Sequence, residues 1–385
     1  MDSGGGESRD SQGSPLQVPG DWETLPPQLE AKCRLRTSSS SVSSFNCSSA
    51  ESEDEVFSDG APSSRDRRQL LRKMKSWKAF FTMVHWTYRR SNSWIQLAGH
   101  EGHFRPSEAG YILKKFSVNE SECLQKLMGD VLKPYVPAYY GLVEKDSQHY
   151  IQMEDLLTGL HSPCIMDCKM GIRTYLEEEL MKDRQKGSYR KDLYQKMKKV
   201  DPQAPTEQEH REAGVTKVRY MQWRETISST AALGFRIEGI TMDNGVVLKD
   251  FKQTRTKEQI MAALIRFTNG CPLILKAYEN RLNAIKAALL QSPFFSCHEF
   301  IGSSLLFIHE RKGRVNVWMI DFGKTTTLPE GHTLQHNRPW EEGNREDGYL
   351  LGLDNLLGIF SATLAKLENA AEPGGEVSER PLVHR

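Results

Sequence analysis

The nine residues Pro163-Cys164-Ile165-Met166-Asp167-Cys168-Lys169-Met170-Gly171 constrain the fold more than any other stretch. Residues 163–169 have strand composition, with proline at the entry and glycine at the exit. Side chains alternate along a strand, so Asp167 and Lys169 are expected on the same side. A carboxylate and an ammonium side by side at a strand end suit phosphoryl transfer. The carboxylate orients a hydroxyl or takes its proton, and the lysine meets charge developing on phosphoryl oxygens. An isolated D-x-K is more often a surface ion pair of little energetic weight. The rest of the string and its downstream partners tip the balance towards chemistry.

That string, P-x-x-x-D-x-K-x-G, resembles the signature of the inositol polyphosphate kinases. The resemblance runs from about Trp94 to Leu367 and is closest to the inositol 1,4,5-trisphosphate 3-kinases, through strings such as Arg173-Thr174-Tyr175-Leu176-Glu177-Glu178-Glu179-Leu180. It implies a two-lobed α/β (α+β) kinase-like fold with ATP and Mg²⁺ between the lobes and a helical insert for the inositol phosphate. The implied reaction is phosphorylation of the 3-hydroxyl of inositol 1,4,5-trisphosphate. A broader inositol polyphosphate multikinase and a calmodulin-bound scaffold are the competing readings.

At 385 residues the chain has room for two lobes and tails. Lys+Arg 51 against Asp+Glu 50 gives a net charge of +1, which offers no global field for nucleic acid. The seven cysteines include no metal-type set of pairs, since Cys164 and Cys168 have no matching second pair. Their odd number, without an apolar leader, points to reduced thiols and a cytoplasmic protein. No run of apolar residues reaches the ~18 of a membrane span.

Charge is unevenly distributed. Residues 1–65 are rich in Ser, Gly, Pro and acid, and 1–60 carry eleven acidic and four basic side chains, a net of −7. So few apolar groups do not offset the entropy of ordering, and a disordered tail is expected. The character inverts at Arg67: residues 67–90 hold eight basic and no acidic side chains. Leu70, Met74, Trp77, Phe81, Val84 and Tyr88 step by 4, 3, 4, 3 and 4, one face of a helix. A basic amphipathic helix over 66–92 with Trp77, Phe81 and Trp86 at 1-5-10 spacing fits calcium-loaded calmodulin. Packing on the catalytic core and tethering to an anionic membrane surface or the cytoskeleton are the alternatives. The resemblance favours calmodulin.

Residues 93–153 read as a small β-rich lobe for nucleotide. Ile95 to Phe104 suggests a strand and a glycine turn, with His103 at the phosphates where the family has Ser. In the strand Tyr111 to Phe116, adjacent Lys114 and Lys115 must face opposite ways, and the resemblance selects Lys114 for the α/β-phosphates. Helical spacing covers Glu120 to Leu132. Tyr150 to Leu157 leads into a connector whose backbone near Glu154, Asp155 and Leu156 would meet the adenine edge.

The catalytic lobe is expected over 154–367, and 368–385 as a second tail. Helices are predicted from Thr174 to Lys186 and from Arg190 to Lys199, with Thr206-Glu207-Gln208-Glu209 capping another. Over 182–224 twelve basic and six acidic residues leave +6, suited to a polyphosphate ring. Solvated surface lysines explain most of that excess equally well. The family places its substrate lobe there, which implies 182–225 as the insert and Arg190, Lys217, Tyr220 and Arg224 as ligands. Leu233 to Ile240 reads as a strand, and Thr241 and Met242 stand where relatives often carry lysines. Helices are predicted over Glu258 to Arg266 and Cys271 to Leu290, ended by Ser292-Pro293. Phe300 to Phe307 and Val315 to Phe322 suggest a hairpin turning at Lys312-Gly313. Its second strand delivers Asp321-Phe322-Gly323-Lys324, the way kinases present a metal-binding Asp. The resemblance adds Ser304 near the metal and Lys324 near the substrate phosphates. Asn344 to Tyr349 is expected to cap a last helix reaching about Leu367.

Overall fold

The computed structural model describes residues 23–24, 104–106, 110–311 and 313–370. His103 and the three aromatic anchors Trp77, Phe81 and Trp86 lie outside the described residues.

The first strand is unexpected. β1 (Glu23–Thr24) comes from the stretch read as a disordered tail, and it pairs with the edge of the main sheet. β2 (Phe104–Pro106) and β3 (Tyr111–Lys115) open the small lobe. α1 (Val118–Leu127) follows, starting two residues earlier than its spacing suggested and ending at Leu127. Beyond it, Pro134 sits in a short 3-10 turn, so the apolar spacing at Val131 does not continue the helix. β4 (Tyr139–Lys145) and β5 (Gln148–Glu154) form a hairpin. The small sheet has the order β2-β3-β5-β4.

β6 (Cys164–Met170) carries the signature and lies in the middle of a six-stranded sheet. Six of its seven residues are buried, which matches its near-continuous apolar composition. Gly171 ends it at φ +97, where a Cβ would stand 2.9 Å from the Asp347 carbonyl oxygen. Both the backbone angle and the close approach require glycine there.

The insert contains α2 (Glu177–Lys186), α3 (Lys191–Val200), α4 (Glu207–Glu212) and α5 (Lys217–Ile227). Thr206 and Glu209 make the expected reciprocal cap on α4. Leu193, Tyr194, Met197, Val215, Tyr220 and Trp223 give these helices a core of their own. After one-turn α6 (Thr230–Leu233), β7 (Phe235–Thr241) pairs antiparallel with β6 and short β8 (Val247–Leu248).

α7 (Lys257–Phe267) and α8 (Pro272–Leu289) cover one face of the sheet. Ser292 does not only end α8; its hydroxyl caps α9 (Pro293–Ser296). The hairpin expectation holds only in part. β9 (His298–Ile301) and β10 (Ser304–His309) are separate strands, broken at Gly302 with φ +72. β10 pairs with β11 (Arg314–Ile320) and β6, whereas β9 pairs with β12 (Lys324–Thr327) in a two-stranded sheet.

α10 (Tyr349–Asn369) closes the fold against α7 and α8. Its N-cap is Gly348, so Asn344 shapes the preceding loop instead of capping the helix. By length and composition α10 would reach across a membrane, contrary to the expectation of no such stretch. Leu353, Leu356, Ile359 and Phe360 bury its apolar side in the main core.

Register sorts the sheet into two faces. Cys164, Met166, Cys168 and Met170 share the core with Phe307, Val317 and the helices. Ile165, Asp167 and Lys169 face the other way, across from Ile308, Leu306 and Ser304. The sequence alternation therefore describes a strand that turns its chemistry away from the helical layer.

Candidate active site

Asp167 and Lys169 stand on the face opposite the helices, as their spacing requires. Along that face the character changes. Ile165, Ile308 and Trp318 pack with Leu156 and Leu160 of the connector, with Leu306 and Ile320 beside them. This apolar cluster adjoins the connector expected to hold adenine. One pair further along, Ser304 lies between Lys169 and Ile320 in register. Asp321 follows Ile320 directly.

Asp321 has φ +63, a left-handed backbone that Asp tolerates better than most residues. Its Oδ1 accepts from Lys114 Nζ at 2.6 Å, and Lys114 also donates to Glu120 Oε1 at 2.7 Å. Of the two adjacent lysines, Lys114 turns inward to Asp321 and Glu120 and Lys115 is exposed. Burial works against its charge, but Asp321 and Glu120 outweigh burial and raise its pKa above the usual lysine value. Burial also works to raise the Asp321 pKa, and Lys114 overrides that and lowers it. Glu120 was not identified from sequence. Its signal is position: an acid in the first turn of the helix that follows the lysine strand. Its Oε1 also accepts from the backbone N–H of Phe322 at 3.3 Å, joining α1 to the Asp321 turn.

Asp167 is 3% exposed, and its Oδ1 has no hydrogen-bond partner among the described residues. Burial raises its pKa to about 7 although Lys169 pulls the other way, and Asp321 and Glu238 add to the rise. Ser304 Oγ, also buried, lies near enough to Asp167 to favour its ionised form slightly, yet it makes no well-formed hydrogen bond among the described residues. Unpaired buried polar atoms cost free energy, so they mark places where something else belongs.

Glu238 is a second residue that sequence reading missed. The β6–β7 pairing slips between Asp167 and Cys168, and Glu238 is the extra residue. It accepts from Arg236 at 2.6 Å. Burial opposes its ionisation, but Arg236, Lys169 and Arg224 hold the carboxyl well below the usual range. Lys169 accordingly lies in the field of Asp167, Asp321 and Glu238.

The connector is ordered by its own side chains. Glu154 Oε2 accepts from the Ala138 N–H at 3.1 Å, and Asp155 Oδ1 from the Leu157 N–H at 3.0 Å. Burial raises the Glu154 pKa. Leu156 is buried in the apolar cluster.

The basic insert reaches the catalytic strands through one carboxylate. Lys217 Nζ donates to Glu179 Oε1 at 3.3 Å, and Lys324 Nζ to Glu179 Oε2 at 2.8 Å. Lys217 and Lys324 are therefore neighbours although far apart in sequence. Arg190 is half-buried and holds Asp192 through two nitrogens at 2.8 and 2.7 Å. Tyr220 and Arg224 differ from the picture of surface ligands. The Tyr220 ring packs on Trp223 in the insert core, and Arg224 is 4% exposed and donates to the Lys252 carbonyl.

Among the described residues no group of three or more His, Cys, Asp or Glu is arranged for a metal. The donor set instead suits a cation held by one or two carboxylates and by phosphates. Asp321 with the buried Ser304 hydroxyl fits that description, and magnesium is bound in this way. Lys114 and Asp321 form one charged group, which shares its field with Asp167 and Lys169, and Lys217 and Lys324 form another on Glu179.

The chain is similar to known proteins over most of its length. Residues 150–361 match the family model described as inositol polyphosphate kinase. The chain is 56% identical over 341 residues to inositol-trisphosphate 3-kinase B of Homo sapiens, covering 85% of this chain and 36% of that protein. It is 50% identical over 365 residues to inositol-trisphosphate 3-kinase A of Mus musculus, covering 91% and 79%. The chain thus spans about a third of the length of the first relative and about four-fifths of the second. The solved inositol phosphate multikinase of S. cerevisiae, in complex with ADP and Mn²⁺, aligns at a TM-score of 0.45 and 19% identity over 66% of this chain and 99% of that one.

Proposed function

The chain belongs to the inositol polyphosphate kinase family, and on that premise we propose that it transfers the γ-phosphoryl group of ATP to the 3-hydroxyl of inositol 1,4,5-trisphosphate. The product would be inositol 1,3,4,5-tetrakisphosphate. The observation that carries this reading is the buried, unpartnered Asp167 Oδ1 in the field of Lys169 and of Asp321, which Lys114 holds.

Each residue then has a task. Lys114, held by Glu120, engages the α/β-phosphates. Asp321 would hold Mg²⁺ with Ser304 beside it, and the ion would neutralise charge on the nucleotide phosphates. Asp167 accepts a hydrogen bond from the sugar hydroxyl and takes its proton as the new O–P bond forms and the bond from the γ-phosphorus to the β-phosphate oxygen breaks, releasing ADP. Lys169, on the same face two residues on, meets the transferring phosphoryl oxygens. The backbone of Glu154, Asp155 and Leu156 meets adenine, with the Leu156 cluster beneath its ring. Lys217, Lys324 and Arg190 bind the phosphates already on the ring, and Tyr220 and Arg224 support them from the insert core.

The same reading gives residues 66–92 to calcium-loaded calmodulin, supported by the basic aromatic stripe. It places the protein in the cytoplasm, supported by free thiols at Cys123, Cys164, Cys168, Cys271 and Cys297. Calorimetry of a 65–92 peptide with calmodulin, in calcium and in chelator, tests the first. Equal heats in the two conditions would assign the stripe to core packing or to a membrane surface.

The test of the activity is ATP-dependent conversion of inositol 1,4,5-trisphosphate by the purified chain, with position-resolved product analysis. Phosphate appearing at the 3-position is expected. Comparable turnover of several inositol phosphates would make the chain a multikinase.

A further inference from the structure

We propose that Glu179 is a positioning residue for the substrate phosphates, fixing Lys217 and Lys324 as one two-pronged clamp. This rests on the inositol phosphate reading given above. Glu179 sits in the first turn of α2, and its Oε2 accepts from the Leu176 N–H at 2.9 Å. That bond fixes the direction of the carboxylate. Lys324 Nζ lies 2.8 Å from Oε2 and 3.2 Å from Oε1, and Lys217 Nζ lies 3.3 Å from Oε1. Lys324 also donates to the Thr174 carbonyl at 3.3 Å.

The two lysines come from unrelated elements. Lys217 is the first residue of α5 in the insert, and Lys324 opens β12 just after the Asp321 turn. One carboxylate therefore sets the distance between the insert and the catalytic strands. An ordinary exposed ion pair contributes little, because two long side chains must be ordered for it. Here all three groups are about a quarter to a third exposed, and the acceptor is held by backbone. The side-chain entropy of both lysines is spent before a ligand arrives. Each ammonium has three donors, and on binding a phosphate Lys324 would turn to it the donor now given to the Thr174 carbonyl. Burial opposes ionisation of Glu179, but Lys324, then the Leu176 N–H and Lys217, hold its carboxyl below the usual range.

Simple electrostatics predicts the opposite result to positioning, which makes the inference sharp. Removing a negative charge beside a polyanion site should tighten binding. A positioning residue should weaken it. Glu179→Gln keeps an acceptor for the Leu176 N–H, since Gln also serves at this helix position. Inositol 1,4,5-trisphosphate is titrated calorimetrically into wild type, E179Q, K217A and the double variant, with KM values for both substrates. E179Q is expected to raise Kd and KM for the inositol phosphate about tenfold, with the ATP KM within about twofold of wild type. In the K217A background the same change should cost clearly less, because the two residues act together. Should E179Q not fold, E179D is expected to weaken binding in the same direction, with its charge withdrawn by one methylene. Unchanged or tighter binding overturns the inference, as do fully additive effects or an equal rise in the ATP KM. Absence of binding by wild type overturns the activity reading and the inference with it.

Discussion

Lys114 and Asp321, 207 positions apart in the chain, meet at 2.6 Å. Their contact joins the small sheet to the strand end of the large one, and Glu120 completes it from α1. A lysine placed between two carboxylates is aimed before nucleotide arrives. Both hold it, Asp321 at 2.6 Å and Glu120 at 2.7 Å, and Glu120 is the more buried of the two, its side chain 4% exposed.

Glu120→Gln should therefore lower kcat/KM for ATP by roughly 10- to 100-fold, since a charge-assisted bond to Lys114 is lost and a buried amide is left facing an ammonium. The inositol phosphate Kd, measured without nucleotide, should stay within about twofold. A variant with wild-type ATP kinetics would show that Lys114 needs no support from α1.

Asp321→Asn should abolish turnover and leave the fold intact. Asn tolerates φ +63 as well as Asp does, so the turn survives. What disappears is the carboxylate for the cation and one partner of Lys114. Circular dichroism and inositol phosphate titration should match wild type. Activity within about threefold of wild type would remove Asp321 from the site.

Lys217→Ala should raise the KM for the inositol phosphate about 10- to 100-fold with little change for ATP. Arg224→Ala differs. Its guanidinium is buried, donates to Lys252 and lies in the field of Glu238. Loss of stability should accompany loss of affinity, by about 2–4 kcal/mol in urea unfolding, because a buried carboxylate loses a compensating charge. A fully stable R224A protein would place that arginine at the surface of the site.

The parts of this fold that were legible in sequence are those set by local period. The alternation in β6 fixed the sidedness of Asp167 and Lys169, and Thr206 with Glu209 marked the start of α4. The break at Gly302 was passed over although Gly302-Ser303-Ser304 is turn composition, because the residues flanking those three are apolar and strand composition alone has no register. Glu120, Glu179 and Glu238 were missed for a related reason. An acid in a helix first turn or at a bulge looks like surface until tertiary structure brings a lysine to it. Arg224 was named a ligand through the family resemblance, and its burial, which follows from the packing of α5, has no sequence signal.

The orphaned Asp167 oxygen should also be visible as a stability cost that depends on pH. Folded Asp167 titrates at about 7, against about 3.9 for an unfolded aspartate. Between those values the folded chain binds more protons than the unfolded one, so stability falls as pH rises through this window. Below about pH 4 both forms are protonated and there is no penalty. Above about pH 7 both are ionised and the penalty is complete. Asp167→Asn removes the buried charge, so its Tm should exceed that of wild type most at pH 8. The gap should shrink steadily towards pH 4, with a full size of roughly 2–4 kcal/mol. Thermal unfolding in chelator and without nucleotide, from pH 4 to pH 8, measures it. A gap that is flat, or that widens towards acid, would mean that Asp167 is ionised and satisfied in the free protein, and could not be the group waiting for a hydroxyl proton.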